Sequence, residues 1–133
     1  MIEYNVKILM AFAQTFEDNG AEFNKWLLEN GYPELSALNE AIRGSERATK
    51  WLMDNKFYHL AALDAAIDNK TAAFQWLQRY DYKIMVLLVE AVHGNQSAIN
   101  ILTTNNLDIF LIIAQKIRKY LDNKTFDYHK MNF

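Results

Sequence analysis

The chain has 133 residues, 51% of them apolar and 23% charged, with a formal net charge of −2. That balance fits one small globular domain burying roughly two thirds of its unfolded surface. It gives no general attraction to nucleic acid or to an anionic membrane. With no cysteine, disulfides, thiol nucleophiles and zinc–thiolate sites are excluded.

The opening residues Met1 to Lys7 lack a charged n-region followed by an apolar run, and no stretch approaches the ~18 apolar residues of a membrane span. The expected compartment is therefore the cytoplasm. Residues 1–20 form a degenerate opening unit, a capping unit in which Phe12, Phe16 and the turn Glu17-Asp18-Asn19-Gly20 fit the pattern of a first helix with one extra residue. Four blocks of 25 residues follow, at 21–45, 46–70, 71–95 and 96–120. Trp26, Trp51, Trp76 and Ile101 recur in one column; Leu27, Leu52, Leu77 and Leu102 form the next. Leu38, Leu63, Leu88 and Ile113 make a third column, and Ile42, Ile67, Val92 and Ile117 a fourth. A fixed period in this range marks a repeat protein, in which each unit buries its apolar face against its neighbours.

Each block divides into two short helices. Leu35, Leu38, Ala41 and Ile42 give the apolar stripe of a first helix. Gly44-Ser45, Asn69-Lys70 and Gly94-Asn95 end it with residues that tolerate a left-handed conformation. Ala48, Trp51 and Leu52 open a second stripe, and Tyr32, Phe57, Tyr82 and Leu107 plug the joint after it. Pro33 sits where a helix begins. Asp122-Asn123-Lys124-Thr125 breaks the last helix and leaves 121–133 as a C-terminal cap or tail. The expected fold is all-α: a solenoid of stacked antiparallel helix pairs, about nine or ten helices in one domain over 1–133.

The runs Glu40-Ala41-Ile42-Arg43-Gly44-Ser45, Glu90-Ala91-Val92-His93-Gly94-Asn95 and Trp26-Leu27-Leu28-Glu29-Asn30-Gly31 resemble the helix ends and turns of the ankyrin repeat. The similarity extends over roughly Phe12 to Ile117. It implies an ankyrin-like stack of helix pairs and a role in protein–protein interaction. The period is shorter than the usual ~33 residues by about the length of the projecting β-hairpin finger, and the Thr-Pro-Leu-His opening is absent.

Signs of chemistry are sparse. His59, His93 and His129 have no metal spacing between them. Glu40 and Glu90 share a column two units apart, too far for paired carboxylates when each unit advances ~8–10 Å. No catalytic, cofactor-binding or metal-binding residue and no small-molecule substrate is indicated, and the expectation is a protein that is not an enzyme. The tryptophans read as core residues. The first helix at Glu34–Arg43 is amphipathic, with Glu34, Ser36, Asn39, Glu40 and Arg43 available to water. Its counterparts at 84–89 and 109–114 are apolar on every side and must be covered. The coverings considered are the tail (Phe126, Tyr128, Met131, Phe133), a second subunit in a homodimer, or an external helix. Val86, Val89, Phe110, Leu111 and Ile112 are thus the expected partner-binding residues, with Arg43, Asp68 and His93 as a polar rim. The alternative is nucleic-acid binding through Lys116, Arg118, Lys119, Lys124 and Lys130.

Overall fold

The computed structural model describes the backbone of Met1 and of residues 3–131, and side chains as far as Lys124. Nine helices occupy the described residues: α1 (Val6–Gln14), α2 (Gly20–Glu29), α3 (Pro33–Ile42), α4 (Glu46–Asp54), α5 (Tyr58–Ile67), α6 (Thr71–Arg79), α7 (Lys83–Val92), α8 (Gln96–Thr104) and α9 (Asp108–Met131). No strand is present among them.

The repeat is written into the turns. After each second helix one residue is left-handed, at Gly31, Lys56, Asp81 and Asn106. The next residue then donates its N–H back to a leucine carbonyl: Tyr32 to Leu27 O at 2.9 Å, Phe57 to Leu52 O at 2.8 Å, Tyr82 to Leu77 O at 3.0 Å, Leu107 to Leu102 O at 2.9 Å. This is the Schellman closure, in which an apolar residue beyond the left-handed one packs back on the last helical turn. The tryptophans provide that packing. Trp26 stacks on Tyr32, Trp51 on Phe57 and Trp76 on Tyr82, with centroids 6.5, 5.9 and 5.6 Å apart and planes within 12°. They are therefore not core residues: Trp26 is 40% exposed and the other two are half-buried. The leucine after each tryptophan, and Leu102 after Ile101, is the core residue, fully buried in all four units.

First helices end on a two-residue turn through Gly44, Asn69 or Gly94, all at positive φ. Ser45 and Asn95 then cap the second helix, each side chain accepting an N–H three residues on, from Ala48 at 3.2 Å and Ala98 at 3.0 Å. The opening unit has a longer turn, and its glycine has a steric reason: a Cβ on Gly20 would sit 2.0 Å from the Thr15 carbonyl oxygen.

The first helices pack side by side, α1 on α3, α3 on α5, α5 on α7 and α7 on α9, with each second helix outside. The row also returns to its start, because α9 packs against α1 as well as α7. The leucine and isoleucine columns of the repeat form the interior of this closed row.

α9 departs from expectation. It runs through Asp122-Asn123-Lys124-Thr125 to Met131 instead of stopping there. The earlier turns lead into helices bearing alanine and leucine three and seven residues after the turn: Ala48 and Leu52, Ala73 and Leu77, Ala98 and Leu102. One period on, the matching positions are Asn123 and Asp127, so a second helix there would lack the alanine–leucine stripe. At ~1.5 Å per residue α9 is ~36 Å long, more than twice a ten-residue first helix. The side chains of Phe126, Tyr128 and Met131, and all of Phe133, lie outside the described residues. None of residues 84–89 or 109–114 is fully exposed, and the helices around them in the closed row supply the cover.

Candidate functional site

The C-termini of α1, α3, α5 and α7 gather at one rim, and three grooves of 970, 600 and 480 Å³ open there at equivalent places in successive units. Each lies between the start of a second helix and the last turns of the next first helix. The first is lined by Asn24, Asn39, Glu40 and Arg43. In the second, Thr49, Asp64, Ala65 and Asp68 take the same positions. In the third they are Phe74, Val89, Glu90 and His93. The polar column expected from the sequence thus faces a groove series.

Arg43 is the most engaged member. Its Nη2 donates to the Thr15 carbonyl at 2.5 Å and its Nε to Asn39 Oδ1 at 3.0 Å, and its guanidinium lies 4.6 Å from the Tyr120 ring centroid. Asn39 in turn donates to Asn24 Oδ1 at 3.2 Å. Asn39 is 3% exposed and Ser36 is also buried, so of the five polar residues expected on the water side of α3 only Glu40 and Arg43 are fully exposed. His93 Nε2 donates to the Ile67 carbonyl at 2.9 Å. Asp68 is exposed one turn from Asp64. Burial chiefly, then the Asp68 charge, pushes the Asp64 carboxyl up to about 6, against the opposing pull of the Thr49 hydroxyl and Lys70.

Of the apolar candidates, Val89 lines the third groove and is 1% exposed. Phe110 is 2% exposed, and Val86, Leu111 and Ile112 are half-buried. Of the basic residues named for nucleic acid, Lys116 is half-buried and Arg118, Lys119 and Lys124 are exposed. Lys116 and Lys119 bracket Glu17, at 2.8 and 3.9 Å, and hold its carboxyl below the usual range. Arg118 lies against the Gly94 backbone and pairs with Asp122 at 4.0 Å. Lys124 Nζ donates to the Arg43 carbonyl at 3.3 Å. The side chain of Lys130 lies outside the described residues.

The sequence reading missed the pairing across each groove. Residues 24, 49 and 74 face residues 39, 64 and 89, always 15 apart: Asn24 with Asn39, Thr49 with Asp64 at 3.4 Å, and Phe74 opposite Val89 in the third groove. The available signal was a column that changes from polar to apolar in both partners together.

The opposite rim carries Tyr4, whose hydroxyl donates to Glu34 Oε2 at 3.2 Å, while Glu34 Oε1 is buried without a hydrogen-bond partner. Burial first, then the Glu34 charge, raises the Tyr4 pKa. His59 stacks on Tyr82 at 5.6 Å, and burial lowers its pKa. Among the described residues no group of three or more His, Cys, Asp or Glu is placed to hold a metal ion, and no helix is long and apolar enough to cross a membrane. No protein-family model, curated protein or solved structure matches the chain.

Proposed function

We propose that this chain is a non-enzymatic protein-interaction module of the ankyrin-like kind, working in the cytoplasm and binding a protein partner along the groove series. The observation that supports this is the threefold recurrence of one groove in register, each copy lined by a different set of side chains. A repeat scaffold that keeps its core columns constant while varying one lining column offers a surface that can be read by a partner. The aliphatic columns do not vary in character from unit to unit, whereas 43, 68 and 93 carry Arg, Asp and His. Self-association through Val86, Val89, Phe110, Leu111 and Ile112 is less well supported, since these side chains are buried or half-buried. For the nucleic-acid alternative, Lys116 is the one of its described cations that is half-buried and paired, with Glu17 at 2.8 Å.

The third groove is the place to test it, because α9 contributes none of its lining. Proteins retained by the tagged full chain are compared with those retained by Glu90→Lys/His93→Glu and by Leu28→Glu, the last on the exposed outer face. A partner lost with the double variant and kept with Leu28→Glu supports the groove. A partner lost only with Leu28→Glu moves the site to the outer helices.

A further inference from the structure

Three of the second helices end on an asparagine. Asn30, Asn55 and Asn105 are exposed, and each donates its Nδ2 at 2.8 Å to the carbonyl four residues back, on Trp26, Trp51 and Ile101. The residue that follows is left-handed in all three, but its main chain is not held alike. Lys56 donates its N–H to Met53 O at 3.1 Å and Asn106 to Thr103 O at 3.3 Å. Among the described residues no acceptor takes the Gly31 N–H. A Cβ on Gly31 would meet nothing within 4 Å.

The chain holds a second Asn-Gly pair, and an acid precedes both: Asp18-Asn19-Gly20 and Glu29-Asn30-Gly31. The two asparagines are exposed and have similar backbones, Asn19 at φ −92°, ψ 21° and Asn30 at φ −105°, ψ 14°. Their glycines differ. Gly20 is buried, packs on the Thr15 main chain and donates its N–H to Glu17 O at 2.9 Å. Gly31 is exposed and unrestrained.

Asparagine is among the thermolabile side chains, and its loss runs through the nitrogen of the next residue. That nitrogen attacks Cγ and the Cγ–Nδ2 bond breaks. Nδ2 leaves as ammonia, taking the proton that the main-chain nitrogen gives up. Water then opens the cyclic imide. Addition at Cγ yields aspartate, and addition at the main-chain carbonyl yields isoaspartate, in which the chain runs through Cγ. The sum is amide plus water giving acid plus ammonia, with no change of oxidation state. The peptide plane must turn until its nitrogen faces Cγ. Glycine obstructs that approach least, and a bonded N–H resists it.

We propose that Asn30 is a site of this self-modification, with water the only co-reactant, and that the fold shields Asn19 from it. The inference stands apart from the protein-binding reading. The product unfastens the end of α2. A carboxylate has no proton to give the Trp26 carbonyl at neutral pH, and it adds negative charge at the negative end of the helix, beside Glu29. Isoaspartate also inserts one carbon into the main chain between Leu27 and Tyr32, the residues joined by the closing bond of 2.9 Å. The joint where Trp26 stacks on Tyr32 therefore loosens before those of the later units.

The test incubates the full chain in mildly alkaline buffer, folded and in guanidinium chloride, and follows each asparagine by peptide mapping and mass spectrometry. In the folded chain Asn30 should convert at least about tenfold faster than Asn19, Asn55 or Asn105, since only its next main-chain nitrogen turns without breaking a bond. In guanidinium chloride Asn19 should react as fast as Asn30. Gly31→Lys, which copies the Asn55-Lys56 end of the second unit, should slow Asn30 to the rate of Asn55. Asn30→Asp, the product with an unlengthened chain, should melt below the unaltered protein. Asn19 reacting as fast as Asn30 in the folded chain overturns the inference. So does a preference for Asn30 that survives denaturation, or an Asn30→Asp chain that melts with the unaltered one.

Discussion

The first two grooves and the third are built on one backbone plan from opposite chemistry. Asn24 with Asn39 and Thr49 with Asp64 join the two helices of each early unit through hydrogen bonds, whereas Phe74 and Val89 hold the equivalent positions in the third. The early grooves carry Arg43, Asp64 and Asp68 and have α9 residues in their lining, while the third carries Phe74, Val89, Glu90 and His93, with no α9 residue in its described lining. A repeat scaffold thus fixes where side chains meet and leaves open what they are. A polar pair needs mutual satisfaction and an apolar pair needs only volume. Polar pairs consequently demand matched changes at both positions, and the column does change in both partners together.

The largest test of that contrast plants the early chemistry in the late groove. Val89 is 1% exposed, so Val89→Asn removes a buried aliphatic side chain and leaves an amide opposite Phe74 with no matching partner. Lost burial and an unsatisfied polar group together predict a loss of about 3–5 kcal/mol, read from urea unfolding. A loss under ~1 kcal/mol would show that the late groove admits polar pairs as readily as the early ones.

A smaller effect is expected from the reverse side of the contrast. Asn39→Ala removes the acceptor for Arg43 Nε and the donor to Asn24, at a cost of about 1–3 kcal/mol. The Arg43 bond to Thr15 survives, so the loss stays below that of Val89→Asn. A double cycle with Asn24→Ala should show coupling of 0.5 kcal/mol or more, since the two side chains are in direct contact. Additive losses would mean that the amide pair is incidental to the joint.

These expectations also mark how far the sequence could be read. The aliphatic columns were legible because a 25-residue period fixes them, and Leu38, Leu63, Leu88 and Ile113 are all fully buried. The tryptophans misled because a half-buried ring at the end of a short helix has the same spacing as a core residue. Only its stacking partner six residues on, across a left-handed turn, separates the two roles. Arg43, Asp68 and His93 each line one of the three grooves. Their spacing could not tell that Arg43 and His93 serve the preceding helix end and that Asp68 cannot. The path of α9 was illegible for a different reason. Asp122 to Thr125 has the composition of a turn, yet the chain stays helical through it, with Asn123 and Asp127 where a second helix would carry alanine and leucine. Polar Ser36 and Asn39 were assigned to water, yet the packing around α3 buries both.

The smallest effect separates two register-equivalent residues by pH. Asp64 and Val89 hold the same place in successive grooves, and only one of them titrates. In the folded chain Asp64 protonates near pH 6, pushed up from its ordinary 3.8 mainly by burial and then by Asp68. A carboxyl raised on folding favours the folded state while protonated. Its contribution is complete below the unfolded value near 4 and is lost as pH rises through about 6. Glu17, lowered by Lys116 and Lys119, works in the opposite sense at more acidic pH, its contribution disappearing as it protonates. The useful quantity is therefore the difference between the unaltered chain and Asp64→Asn. That difference should turn in favour of the unaltered chain as pH falls from about 6 towards 4, while a carboxyl carbon resonance should shift with its midpoint near 6. A flat difference would mean that Asp64 is solvated, and the second groove would then lack the poorly compensated charge that sets it apart from the third.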